Sequence, residues 1–321
     1  MGVGSRNDSN IFIKIVCTAM AVEGDIMEYL LIPLLWILAV TKVSLQSRFS
    51  KSSHSGKAQS IFFNGLIFLA GALILLPSLF DGPIGADTLI FGALMGIMSF
   101  IFQFFYITAF ARGKTSITMV INNFSMLIPM LFSVIMFNES FGYIKIIATV
   151  LVIVSFFLTV KDDPEKADGK VNSRGFDWIW LACTLIALFS GGIASCSQKW
   201  YAAVAVDFQV LEFVSISYIT ASIISAVTIG IMGIKDKKID VKPTRPMLIS
   251  GCLAGVVLGL FQCLFTFAPS VLDGTVLYPA YNCGASVLMT VVGAVIFKER
   301  CSIRQYIGIG IGAFAIVLLC L

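Results

Sequence analysis

The stretch SVIMFNES, residues 133–140, decides how this chain is read, because a second stretch, AVIFKER at 294–300, closes in nearly the same way. Each ends an apolar run, one with Phe137-Asn138-Glu139 and the other with Phe297-Lys298-Glu299-Arg300. At an offset of 160 the match extends well past them: Thr115 meets Thr275, Asn122 meets Asn282 and Ile147 meets Ile307. One apolar run earlier the offset is 159. There Gly92, Leu94, Gly96, Phe102, Gln103 and Ala109 meet Gly251, Leu253, Gly255, Phe261, Gln262 and Ala268. GxLxG, then Phe-Gln, then Ala, is too long a pattern for chance apolar similarity. The chain contains one unit twice.

The chain has 321 residues, 58% hydrophobic and 12% charged, with a mean hydropathy of +0.95. Soluble domains carry about 25% charged residues, so this composition belongs to a bilayer. The apolar runs have the length of about 20 residues that crosses a hydrocarbon core of about 30 Å. They fall at 28–46, 60–80, 88–110, 115–137, 142–160, 176–196, 209–233, 246–268, 275–297 and 303–321. They are continuous rather than alternating, which makes them helices and not outer-membrane strands. The expected fold is an all-α integral membrane protein with ten transmembrane helices in two five-helix repeats, at 28–160 and 176–321. A polar linker, 161–175, joins them. Residues 1–27 form an N-terminal extension whose apolar part, IFIKIVCTAMAV, is too short to span and contains Lys14; it reads as a weak signal-like stretch, an interfacial helix or, the favoured reading, a non-native start with translation beginning at Met27.

Five is odd, so the second repeat must enter the membrane inverted. Lys and Arg accumulate in cytoplasmic loops, and comparing each loop with its repeat partner puts the richer partner on the same face in all four pairs. Of 22 basic residues only Arg6, Lys14, Lys145 and Lys199 fall on the other face. Loops 1–2, 3–4, 5–6, 7–8 and 9–10 are therefore cytoplasmic, with both termini outside, in a bacterial inner or plasma membrane. Inverted repeats are the architecture of secondary transporters, in which one bundle rocks against the other around a shared site.

Pro129, the Phe137-Asn138-Glu139 turn with its following helix, and Phe297-Lys298-Glu299-Arg300 with Gly308 carry a resemblance. The chain resembles the EamA-like branch of the drug/metabolite transporter superfamily from about residue 28 onward. The resemblance implies a central cavity lined by helices 1, 3, 4, 6, 8 and 9. It also implies cytoplasmic termini, opposite to the charge count. Members move amino acids, sugars, nucleotide sugars, cations and drugs, so it leaves the solute open.

Polar side chains in mid-span are functional candidates, because hydrocarbon offers them no partner. Gln103 and Gln262 are repeat-equivalent and near mid-membrane; each either lines the cavity or bonds a neighbouring helix. Asn122, Asn123 and Asn282 lie near Pro129 and Pro279, where they either contact solute or satisfy carbonyls that proline leaves free. Tyr278 and Tyr281 are three apart on one helix face beside Asn282, and with Tyr106 and Trp36 they offer rings and polar tips to an organic solute. Ser190, Ser195 and Ser197 serve equally well as close-packing residues.

No Asp, Glu, Lys or Arg occupies the middle of an expected span; Glu28, Lys42 and Glu212 lie near ends, where side chains snorkel to the interface. The first helix thus lacks the buried carboxylate of the small multidrug exporters in that superfamily. Glu139 and Glu299 read as caps on the helices that follow them. Gly92/Gly96, Gly251/Gly255 and Gly308/Gly312 read as small-residue faces for close helix contact. The cysteines form no CxxC pair, His54 stands alone in a loop, and no GxxxxGK[ST] is present. The expectation is a transporter or facilitator for a small neutral or zwitterionic metabolite (an amino acid, nucleoside-like compound or sugar derivative), not an enzyme. It uses no metal, cofactor or nucleic acid and works as a monomer in the lipid bilayer. The alternatives are an exporter of lipophilic or quaternary-ammonium cations held on aromatic faces and, behind it, a membrane scaffold.

Overall fold

The computed structural model describes residues 25–52, 57–80, 82–112, 118, 121–159, 178–235, 244–295 and 302–319. Residues 1–24, His54, the linker 161–175 and the 297–300 motif lie outside them. The described residues form helices and no strand. In chain order these are α1 (Asp25–Ser52), α2 (Lys57–Leu75), α3 (Ala86–Arg112), α4 (Leu127–Phe137), α5 (Tyr143–Thr159), α6 (Trp178–Val204), α7 (Val210–Lys235), α8 (Arg245–Val271), α9 (Gly274–Val295) and α10 (Ile303–Leu319). Six segments, Ile61–Phe80, Ala86–Ala109, Trp178–Val204, Val210–Gly233, Arg245–Val271 and Gly274–Val292, are long and apolar enough to cross a membrane. Leu30–Lys42, Ile121–Phe137, Tyr143–Leu158 and Ile303–Leu319 are shorter apolar helices. The protein is an integral membrane protein.

Proline and asparagine shape the helices locally. Pro129 follows a 3-10 turn at Phe124–Met126 that tightens the entry to α4. Asn138 ends α4 at φ 51°, in the left-handed region that asparagine tolerates better than most side chains.

The chain divides into two compact units, one of Met1–Phe100 with Ser197–Val271 and one of Ile101–Cys196 with Leu272–Leu321. The boundaries fall inside α3 and α6, so each unit draws helices from both sequence halves.

In the first unit, α8 crosses α2 at Gly251 and Gly255. A Cβ on Gly251 would meet Leu66 and Phe63, and one on Gly255 would meet the Ile67 carbonyl oxygen and Ala70. The same happens where α3 crosses α7. A Cβ on Gly92 would meet Ile216 and the Phe213 carbonyl oxygen, and one on Gly96 would meet the Ser217 carbonyl oxygen and Thr220. Phe63, Leu66, Ile67 and Ala70 stand 150 positions before Phe213, Ile216, Ser217 and Thr220. Phe68 and Tyr218, also 150 apart, touch each other with ring centroids 5.6 Å apart. The expected small-residue faces are therefore present, and glycine lets backbone approach backbone where lipid supplies no hydrophobic drive for association.

In the second unit α5 packs along α10, and the two helices begin and end 160 residues apart. The Ser155 hydroxyl donates to the Gly308 carbonyl at 2.8 Å. A Cβ on Gly312 would meet Ser155 and Cys283. The third glycine face thus also seats a helix crossing.

Candidate functional site

The second unit holds seven of the nine predicted site residues: Gln103, Tyr106, Asn122, Asn123, Tyr278, Tyr281 and Asn282. The first unit holds Gln262 and Trp36.

Asn122 and Asn282 behave alike. Asn122 Nδ2 donates to the Thr118 carbonyl at 3.0 Å, and Asn282 Nδ2 donates to the Tyr278 carbonyl at 2.9 Å. Each is a bond to the residue four earlier in the chain. The expected bond to a proline-freed carbonyl is not the one made: Pro129 and Pro279 withhold donors from Ser125 and Thr275 instead. The Asn122 amide oxygen is buried without a hydrogen-bond partner among the described residues. Beside it the Trp180 indole N–H donates to the Thr118 hydroxyl at 2.9 Å. Tyr278 is fully buried, and its hydroxyl donates to the Ser195 carbonyl at 3.2 Å. Tyr281 and Asn282, one turn on, are half-buried. Tyr106 stacks on Phe102 with centroids 5.1 Å apart. Gln103 and Asn123 are half-buried, and Asn123 caps the 3-10 turn without a side-chain bond. Ser190 and Ser195 bond back to their own helix, at Ile186 and Gly191.

Glu139 caps a helix, but not the one that follows it. Its Oε2 accepts the Thr275 N–H at 3.0 Å, at the start of α9. Lys145 Nζ reaches the same turn, at 3.2 Å from the Thr275 hydroxyl and 3.7 Å from Asp273 Oδ2. An αL turn, a carboxylate and an ammonium thus fasten the α4–α5 corner to the N-terminus of α9, where a carboxylate meets the positive end of the helix dipole. Glu299 lies outside the described residues.

In the first unit Gln262 is buried, and its amide nitrogen approaches the Met95 sulfur at 3.9 Å. Trp36 is half-buried. The helix α1 continues to Ser52, so Lys42 lies ten residues inside its end, at the close of the apolar part Leu30–Lys42. Its ammonium stands 5.6 Å from the centroid of Phe261, the residue before Gln262. The apolar run that set the expected span stops near residue 46, although the helix does not.

Sequence reasoning also missed a cluster that closes one end of this unit. The Gln209 side-chain oxygen accepts the Gly85 N–H at 3.1 Å and the Thr88 hydroxyl at 3.2 Å, while its nitrogen donates to the Pro83 carbonyl at 3.0 Å. The Tyr201 hydroxyl accepts the Gln209 N–H at 2.8 Å and, since the Thr88 proton is committed, donates to Thr88 at 3.0 Å. Its members come from two segments more than a hundred residues apart, so spacing gives no sign of it.

An all-helical membrane chain with paired glycine crossings and uncharged amides in mid-helix defines the class. The EamA-like transporter family matches the chain over residues 30–161. An uncharacterized protein of Haemophilus influenzae is 25% identical over 194 residues, 58% of this chain; the chain spans 59% of that relative's length. A protein of known crystal structure superimposes with a TM-score of 0.66 at 15% identity, over 89% of this chain and 98% of that one, and shows the likeness of fold.

Proposed function

We propose that this protein is a secondary transporter or facilitator for a small polar metabolite, neutral or zwitterionic, built from ten transmembrane helices in two inverted five-helix repeats. Alternating access around a site lined by Gln103, Gln262, Asn122, Asn123, Asn282, Tyr106, Tyr278, Tyr281 and Trp36 is its mechanism, and the basic loops face the cytoplasm of a bacterial cell. The observation that carries the reading is the recurrence of contacts at fixed offsets: α8 on α2 and α3 on α7 through equivalent glycines, and Asn122 and Asn282 through equivalent bonds. Such recurrence is what two copies of one unit produce. The family match at 30–161 covers nearly the first of those copies, 28–160. The lipophilic-cation alternative is weakened by Lys42, whose ammonium already occupies the Phe261 face and repels a second cation.

The test is a thermal-shift screen of the purified protein against amino acids, nucleosides, sugars and quaternary amines. A ligand that binds only the folded state raises the melting temperature by mass action. A polar metabolite should stabilise the wild type and lose that effect in Gln103→Ala, Asn282→Ala and Tyr281→Ala. Stabilisation by quaternary amines alone would replace this reading with the exporter, and equal stabilisation of all variants would move the site.

A further inference from the structure

Lys42 is the side chain the proposed uncharged site does not account for. The depth of its ammonium follows from α8, which has 27 residues and Leu258 at its centre. Phe261 lies three residues past that centre, about 4–5 Å along the axis. The ammonium 5.6 Å from its ring therefore stands beside the middle of that helix, away from its two ends. Intramembrane cations pair with carboxylates, with carbonyls or with whatever enters a watery cavity. Among the described residues no carboxylate lies within ion-pairing distance of Lys42 and no hydrogen bond engages it; Phe261 is its partner. The residue is half-buried rather than sealed. An aromatic face attracts an ammonium but leaves its N–H donors unspent.

Among the cations of this unit whose side chains are described, Lys199 donates to the Pro269 carbonyl near the far end of α8, at 3.2 Å, and Arg245 is the first residue of that helix. Among these, Lys42 is the positive charge beside Phe261, and one ammonium suits one carboxylate better than a doubly charged phosphate. Gln262, adjacent in sequence to Phe261, places a second polar group on the same stretch of α8.

We infer that Lys42 docks the carboxylate of the transported solute, so that the substrate class is a small carboxylate-bearing metabolite, either a zwitterion or a monoanion. The ammonium supplies the charge-assisted hydrogen bond to the carboxylate, and the Phe261 ring holds the side chain in place when the site is empty. This inference rests on the transporter reading and shifts its solute from a neutral or zwitterionic metabolite to one that bears a carboxylate.

The experiment pairs each solute with the counterpart that lacks its carboxylate, amino acids beside their amides and small monocarboxylates beside the matching primary amides. Binding is read by thermal shift and uptake in proteoliposomes, for wild type, Lys42→Gln and Lys42→Arg. Wild type is expected to prefer the carboxylate of a pair at least tenfold. Lys42→Gln should lose that preference while keeping its fold, and Lys42→Arg should retain most of it. Preference for the carboxylate that persists in Lys42→Gln would overturn the inference, as would binding of the amides alone; in either case the transporter reading stands. If no solute of the panel binds to or crosses with wild type, the transporter reading falls and takes this one with it. A melting temperature of Lys42→Gln equal to that of wild type without solute separates loss of docking from loss of fold.

Discussion

A methyl group at Gly255 should separate α2 from α8. The Cβ of alanine there would stand 2.6 Å from the Ile67 carbonyl oxygen and 2.7 Å from Ala70 Cβ, whereas ordinary contact begins at 3.4 Å. The helices must move apart by about 0.8 Å, the difference between those two distances, because the obstacle is backbone and cannot rotate away. Overpacking of this kind costs about 1–3 kcal/mol, against which alanine's better helix propensity returns at most about 1 kcal/mol. The net expectation for Gly255→Ala is a loss of about 1–2 kcal/mol after that propensity gain. Gly96→Ala meets the Ser217 carbonyl oxygen and Thr220 in the matching crossing and should lose a similar amount. Gly310, on α10, has nothing within 4 Å of its Cβ position, and Gly310→Ala should hold or slightly gain stability. Reversible unfolding in detergent, with the three variants side by side, reads the differences. If Gly255→Ala and Gly96→Ala unfold like Gly310→Ala, the close crossings are not what holds these helices together.

Two further predictions concern polar fastenings. Glu139→Ala removes the acceptor of the Thr275 N–H and the carboxylate at the N-terminus of α9, and should lower unfolding free energy by about 1–2 kcal/mol. Glu139→Gln, which keeps an acceptor, should lose less than half of that in the same detergent assay. Gln209→Ala strips Gly85 N–H, the Thr88 hydroxyl and the Pro83 carbonyl of their partner, and a loss of about 1–3 kcal/mol is expected. Thermal unfolding unchanged in Gln209→Ala would mean that water replaces the side chain there.

What the sequence made legible was whatever recurs along one helix. The glycine faces at 92/96, 251/255 and 308/312 are read from spacing alone, and each seats a helix crossing. Their receiving surfaces on α2 and α7 were not matched in advance, because only positions recur there: Ala70 faces Thr220 and Ile67 faces Ser217 across the offset. Contact through a carbonyl oxygen tolerates such changes, since every residue carries one. Glu139 shows another limit. A carboxylate after an αL turn is a recognisable cap, but which helix it caps depends on a neighbour more than a hundred residues away. Among the site residues, the equivalence of Asn122 and Asn282 was legible and extends to their bonds. Tyr278 and Tyr281 share the expected face, yet one is sealed and the other half-buried, a distinction set by packing.

Lys42 and Lys199 bear on the charge argument for orientation. Neither is a loop residue: one stands over Phe261 and the other is buried against the Pro269 carbonyl. The segment between α6 and α7 is Ala205–Gln209, AVDFQ, with no basic residue. Its partner, the segment around the α1–α2 junction, still holds Arg48, Lys51 and Lys57. Lys145, another exception, is likewise spoken for, by Asp273 and the first turn of α9. Positive-inside bias concerns cations free to stay with the cytoplasm during insertion. Once those held by internal partners are set aside, the α1–α2 junction holds three basic residues against none between α6 and α7. Among the basic residues whose side chains are described, Lys42 has an aromatic ring for company and no anion, which is the position a solute's carboxylate would complete in the proposed transporter.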